Sequence, residues 1–242
     1  MSKRTRIRTG CSGYYNRHWK KIFYPEKLPQ RQWFEFYCTQ FDSVELNSTF
    51  YKFPTAESLR KWYGQAPPGF LFSVKAPKLI THLKRFNDCK QQVNELYDAC
   101  EQGLAEKLGC VLFQVPPSID YNEDKLQQIL QYMKPGFSNV IEFRHTSWWK
   151  KKVYDELAKC DTCFCSVSHP SLPDTIIRNT SIVYTRLHGV PEMFYSGYTQ
   201  GQLKKLREDI SRKKSVREAF VYFNNTAGDN GILNAMEFNK LL

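Results

Sequence analysis

Residues 140–149, VIEFRHTSWW, place a carboxylate and a guanidinium in a stretch that should be apolar. Strand alternation puts Glu142 and Arg144 on one face, with Val140, Ile141 and Phe143 around them. An ionised carboxylate is expensive to take out of water, so a strand that carries such a pair either matches the charges or faces a polar cavity. The pattern recurs. Glu45 and Asn47 share a face of 43–47, Ser73 and Lys75 share a face of 70–75, and Tyr184, Arg186 and His188 share a face of 182–188. Gln114 stands just before Pro116 and Pro117, and Asn224 and Asn225 close the last apolar run. Each of these polar groups lies at the C-terminal end of its run.

Acid and base chemistry suits this set better than nucleophilic hydroxyl chemistry. Ser12 has a glycine nearby on either side but lacks the G-x-S-x-G elbow that exposes a serine nucleophile. Glu142 is the expected general base, with Glu45 as the second carboxylate and Lys75 or His188 as acid or oxyanion partner. Arg144 and Arg186 would clamp an anionic substrate group by bidentate hydrogen bonds. Asn47, His82, Gln114 and Asn224 would complete the binding site, and Trp19 and Trp148 would offer faces to a base or sugar ring if they line the mouth. The plainer alternatives are ion pairs that hold core layers together, Glu142 with Arg144 or Glu45 with Lys75, and indoles buried in helix packing. A hard divalent cation on Glu45, Glu142 and amide oxygens is chemically conceivable. Lys75 and Arg144 would compete for those carboxylates, however, and no H-E-x-x-H or similar ligand spacing occurs.

The elements that must position these residues follow from periodicity. Apolar runs at 7–11, 43–47, 70–75, 110–115, 140–144, 162–167, 182–188 and 219–224 read as strands, mostly separated by amphipathic helical patterns. Pro29 opens one helix, Thr55 caps another, Thr146 is placed to cap a third, and Thr199 with Gln202 forms a capping box. Alternating strands and helices imply parallel pairing, and eight is the number at which such a sheet closes, so the expected fold is a TIM-type (β/α)8 barrel in one domain over 1–242. Its active face is the one where the polar strand ends gather. A doubly wound sheet would need a glycine-rich phosphate turn after the first strand, and Gly10, Cys11, Ser12, Gly13 does not match G-x-G-x-x-G.

Composition narrows the partners. The 242 residues carry a net charge of +11 with 15% aromatic content, which excludes disorder and favours an anionic substrate, phosphate or nucleic acid. The basic runs Lys150 to Lys152 and Arg212 to Lys214 fall where helices are expected and read equally as solvated faces. No apolar segment is long enough to span a bilayer, and Met1 is followed by Ser2, Lys3 and Arg4 without a signal-peptide core, so no membrane association and a cytoplasmic location are expected. The eight cysteines then read as reduced, packed thiols, and the lone C-x-x-C of Cys160 and Cys163 as structural.

The segments GCSGYY, FDSVELNSTFY, FLFSVKAPKLITH, GCVLFQVPPS, VIEFRHTSWW, YTRLHG and VYFNN, with Asn234 and Ala235, run in order through almost the whole chain. In these the chain resembles the YecE-like family, domain of unknown function 72. The resemblance implies a TIM-type barrel similar to the endonuclease IV and sugar isomerase group, and it implies no established activity. The chain departs from the family pattern at Cys11, usually Thr, at Thr146, usually Pro, and at Ser166, Val167, Ser168, where an Asp is often met. The His and carboxylate set that a three-metal nuclease needs is not visible. The functional expectation is a hydrolase or lyase on a phosphate- or sugar-containing substrate, with a nucleic-acid-binding barrel or a sugar-isomerase-like enzyme as alternatives.

Overall fold

Short runs of β-branched and aromatic residues, stopped by Pro, Gly or Asn, become the strands of this chain. In the computed structural model, which describes residues 5–212 and 215–242, they are β1 (Arg6–Cys11), β2 (Ser43–Leu46), β3 (Leu71–Lys75), β4 (Leu108–Val115), β5 (Asn139–Phe143), β6 (Cys163–Ser168), β7 (Ile182–Leu187) and β8 (Glu218–Phe223). Ser2, Lys3, Arg4, Lys213 and Lys214 lie outside the described residues. Every ladder is parallel, and the hydrogen-bonded order runs β1, β8, β7, β6, β5, β4, β3, β2. The sheet is a nearly closed (β/α)8 barrel, as the strand count predicts.

The remaining gap, between β1 and β2, is bridged by side chains. Tyr37 Oη accepts from the Cys11 amide at 2.7 Å and donates to the Ser43 carbonyl at 3.1 Å, and Asp42 Oδ1 accepts from the Thr9 amide at 3.2 Å. The two strands approach so closely at Gly10 that a Cβ there would lie 2.1 Å from the Ser43 carbonyl oxygen.

Helices α1 (Trp33–Gln40), α3 (Ala56–Gln65), α4 (Lys90–Leu104), α5 (Glu123–Leu130), α6 (Lys151–Lys159), α7 (Gln200–Ser211) and α8 (Asn230–Asn239) flank the strands, and the short α2 (Ser48–Tyr51) follows β2 at the barrel mouth. The Thr55 and Thr199 capping boxes form as expected. Two local expectations are corrected. Pro29 precedes a 3-10 turn at Gln30–Gln32, and α1 starts only at Trp33. Thr146 does not cap a helix: His145 caps a 3-10 turn at Thr146–Trp148, and α6 begins at Lys151. The reason is Trp148, whose ring stacks on Phe143 at 4.2 Å and whose Nε1 donates to the Ile119 carbonyl, holding the turn tight before the helix restarts.

Strand alternation sorts the core into two layers. Cys110, Leu112, Val140, Cys163, Cys165, Val167, Tyr184, Phe220 and Tyr222 fill the barrel, while the alternate residues Val111, Phe113, Ile141, Phe143, Phe164, Val183, Val221 and Phe223 pack against the helices. Continuing the inward parity toward the C-terminal ends replaces apolar residues by Glu45, Lys75, Gln114, Glu142, Arg186 and Asn224. Among the described residues the β6 to β7 connection carries no helix. In its place this connection and α7 line a cavity of about 380 Å³ on the outer side of β6 and β7, reached by Ser168, Thr185 and Leu187.

Candidate functional site

The structure brings Glu45, Glu142, Arg186 and His188 into one buried layer at the C-terminal end of the barrel. Arg186, on β7, is its centre. Its Nε and Nη2 donate to the two carboxylate oxygens of Glu45 across the barrel at 2.9 and 2.7 Å, and its Nη1 donates to Glu142 Oε2 at 2.6 Å. Ser12 and Tyr184 donate their hydroxyls to Glu45 at 2.7 Å each, and the Asn47 amide adds a donor at 3.2 Å. Glu142 also accepts from Arg144 Nε. His188 stands against this pair, with Nε2 3.4 Å from Glu142 Oε1 and 3.1 Å from Arg144 Nη2, and with Nδ1 2.7 Å from the Asn224 amide.

Electrostatics in this layer follow from burial and pairing. Burial alone would raise the Glu142 carboxyl, but the guanidiniums of Arg144 and Arg186 outweigh it and hold Glu142 well below the usual carboxylate range. Glu45 is lowered in the same way by Arg186, helped by Ser12 and Tyr184. Burial pushes His188 down to about 3, so its imidazole is neutral at neutral pH. These findings redraw two expected roles. A general base works best with a pKa near the working pH, and Glu142, held low and already accepting from Arg144 and Arg186, is poorly matched to that role. The Arg186 fork is spent on Glu45, so a bidentate clamp on substrate cannot come from it.

Lys75 behaves differently. It ends β3, it is 9% exposed, and among the described residues no carboxylate forms an ion pair with it. Its ammonium lies over the Phe50 ring, 4.3 Å from the centroid. Burial, and next the charge of Arg186, bring Lys75 down to about 8 against the opposing pull of Glu142 and Glu45. The Thr49 hydroxyl bonds to the Lys75 carbonyl at 2.6 Å and to the Leu46 carbonyl at 2.8 Å, which fixes the strand end that presents the amine. His82 packs edge-on against the same Phe50 ring at 4.9 Å, with Nδ1 2.8 Å from the Thr81 hydroxyl. Its own pKa is lowered by burial and by the Lys75 charge. His82 rides on a π turn at Leu79–Leu83, a wide helical turn of a kind frequent at functional sites.

A partly exposed rim surrounds the buried layer: Ser12, Asn47, His82, Gln114, Arg144, His169 and Asn224. Gln114 stands opposite Glu142 in the β4 to β5 ladder. Three cations, Lys75, Arg144 and Arg186, face two carboxylates, so the site carries one positive charge in excess and suits an anion. Trp19 and Trp148 are not at the mouth. Both are buried, Trp19 donating to the Gly228 carbonyl and packing on Phe23, so neither indole has a face to offer. Among the described residues no group of three or more His, Cys, Asp or Glu is placed to hold a metal ion. Glu45 and Glu142, the expected ligands, are committed to guanidiniums. Lys151 and Lys152 pair with Asp155 and Glu123, as a solvated helical face would. No helix among the described residues is long and apolar enough to cross a membrane.

Sequence reasoning missed Phe50 and Thr49, which sit in the short α2 after β2, and undervalued Tyr184 and Ser12. The in-phase spacing of Tyr184 with Arg186 was the available signal for one of them. For Phe50 no local pattern tells an inward aromatic from an outward one.

The chain matches the family model described as Protein of unknown function DUF72 over residues 8–242. It is 25% identical to the UPF0759 protein YunF of Bacillus subtilis, over 90% of this chain and 89% of that protein. To the UPF0759 protein YecE of Escherichia coli K12 it is 29% identical over 48% of this chain and 43% of that protein. Among solved structures, a DUF72 family protein from Thermotoga maritima superposes with a TM-score of 0.88 at 28% identity, covering 98% of each chain. One from Enterococcus faecalis superposes with a TM-score of 0.83 at 18% identity, covering 98% of this chain and 95% of that one. The barrel and its polar strand ends are thus those of a chain that belongs to the DUF72 family, whose function is unknown.

Proposed function

We propose that this protein is an enzyme of the lyase or isomerase kind, acting on a small phosphate- or carboxylate-bearing substrate, with Lys75 as the group that moves the proton. The observation that carries the reading is Lys75 itself: a buried amine at a barrel strand end, without a carboxylate partner, held near neutrality in a site of net positive charge. Arg144, on the rim, attracts the anionic group. Gln114, Asn47 and Asn224 offer amides to the rest of the substrate. The ion-paired layer of Glu45, Arg186 and Glu142 serves as a rigid floor, and so hydrolysis with Glu142 as base is the weaker form of the idea.

Proton movement can be read without knowing the net reaction. The protein would be incubated in deuterated buffer with a panel of sugar phosphates and hydroxy or oxo acids, and carbon-bound hydrogen exchange followed by NMR. The expected result is exchange beside a carbonyl in one anionic compound, lost in Lys75→Met and showing a pH limb near 8. A wild-type protein that exchanges nothing, or exchange that survives Lys75→Met, would sink the proposal.

A second reading has its own support. Exposed Tyr15, Tyr51, Leu83, Phe194 and Tyr195 all lie in connections that follow strands, Tyr51 at the end of α2 and Leu83 at the end of the π turn, on the same face as the cationic mouth. Aromatic faces beside positive charge suit the bases and backbone of single-stranded nucleic acid. Fluorescence anisotropy with a labelled oligonucleotide should then show affinity that falls steeply with salt. Absence of binding at low salt removes this reading.

A further inference from the structure

Lys75 and His82 share one aromatic support, and this juxtaposition carries more than proton transfer. We infer that Lys75 Nζ is a nucleophile that forms a Schiff base with a carbonyl substrate bearing a phosphate or carboxylate, His82 being the adjacent proton carrier. The inference rests on the reading of Lys75 as the reactive group of an anion-binding mouth.

Three features of the site favour a covalent step. Among the described residues no carboxylate pairs with Lys75, since Arg186 and Arg144 take the ion pairs of Glu45 and Glu142. Its strand end is fixed by the Thr49 hydroxyl, and its ammonium is fixed over Phe50, so the amine is presented in one place. Finally, an iminium carries the same positive charge in the same position as the ammonium it replaces. The Phe50 face and the two buried carboxylates that tolerate the one therefore tolerate the other, without reorganisation.

The step balances. The Nζ lone pair attacks the carbonyl carbon, a C–N bond forms as the C=O π bond breaks, and the proton that the nitrogen then sheds is carried by His82 or water to the oxygen to give the neutral carbinolamine. Protonation of that hydroxyl, by His82 or a water it holds, lets it leave as water while the nitrogen lone pair closes the C=N bond. Water is the only product besides the iminium. The amine must be neutral to attack, and with a value near 8 about a tenth of Lys75 is neutral at pH 7, against well under a thousandth for an ordinary lysine.

Borohydride trapping tests this on the full chain. Glyoxylate, pyruvate and dihydroxyacetone phosphate are each added with sodium cyanoborohydride, and adducts are located by intact mass and peptide mapping. One reduced adduct per chain is expected with at least one probe, on the peptide that holds Lys75, at least about tenfold faster than on exposed lysines. Inorganic phosphate should slow it. Lys75→Arg, which keeps the charge, should lose that adduct while melting as a folded protein, and His82→Gln should slow its formation. Adducts spread evenly over surface lysines, or equal labelling in Lys75→Arg, would overturn the inference. Failure of all three probes beside a Lys75-dependent deuterium exchange would also overturn it, yet leave the proton-transfer function standing. Loss of the exchange itself would remove that function first.

Discussion

Replacing Lys75 by methionine should make the protein more stable, and the structure sets the size of the gain. Lys75 is held at about 8 against an ordinary value of 10.5. Each pH unit of such displacement corresponds to ~1.4 kcal/mol, so keeping the ammonium in its buried place costs the fold about 3 kcal/mol at pH 7. Methionine has similar length and removes that cost, while it forfeits a cation–π contact on Phe50 worth about 0.5 to 2 kcal/mol and replaces it by a sulfur–aromatic one. A net gain of about 1 to 3 kcal/mol is expected, and for a chain of this size that raises the melting temperature by about 2 to 12 °C. The sign with pH is fixed. Between about 8 and 10.5 the unfolded chain holds a proton on Lys75 that the folded one has released, so wild-type stability rises through this window. Below 8 the penalty is complete. Melting curves of wild type and variant at pH 7 and at pH 10.5 should therefore converge at the higher pH. A variant that melts lower than wild type at pH 7, or an advantage that persists unchanged to pH 10.5, would refute the placement of Lys75 as an unpaired buried cation.

Two further substitutions probe the frame around it. Glu142→Gln keeps shape but leaves Arg144 and Arg186 short of one carboxylate, and breaking a buried pair in this way costs about 3 to 5 kcal/mol, a fall in melting temperature of about 6 to 20 °C. Because Glu142 is held well below its ordinary 4.5, its contribution is full above that pH and is lost as pH falls toward the folded value, so the two proteins should draw together in acid; an unchanged melting temperature at pH 7 would contradict the ion-pair floor. Gly10→Ala places a Cβ 2.1 Å from the Ser43 carbonyl oxygen and must push β1 from β2, so the unfolding free energy from denaturant titration should fall by more than the about 1 to 3 kcal/mol typical of overpacking, and a denaturant midpoint equal to wild type would show that the seam is loose.

Much of the barrel was legible because its signals are local. Strand runs end at Pro77, Pro116 or Pro191, and a period of two assigns each residue to the inside or the helix side. The polar strand ends could be read for the same reason: Glu142 or Arg186 at an inward position contradicts the apolar filling that a packed barrel needs. The missing helix between β6 and β7 was also consistent with the Pro170 and Pro173 loop. The misread turn at Thr146 had a tertiary cause, since stacking of Trp148 on Phe143 decides it.

What stayed hidden is who pairs with whom. Glu142 with Arg144 and Glu45 with Lys75 are neighbours in sequence or in adjacent strands, and local reading offers them as pairs. The structure keeps the Glu142 and Arg144 pair but gives Glu45 to Arg186, 141 positions away in the chain, because only closure of the sheet brings the ends of β7 and β2 within reach of one another. This one long-range contact changes the chemistry. By occupying both carboxylate oxygens of Glu45 and one of Glu142, Arg186 deprives Lys75 of a counterion, and its own charge lowers the lysine further. The lowered pKa of Lys75 is thus a property of barrel closure rather than of the segment that contains it. For the same reason Glu142, the most conspicuous residue of the sequence, is held well below the usual carboxylate range: its guanidinium neighbours outweigh the effect of its burial.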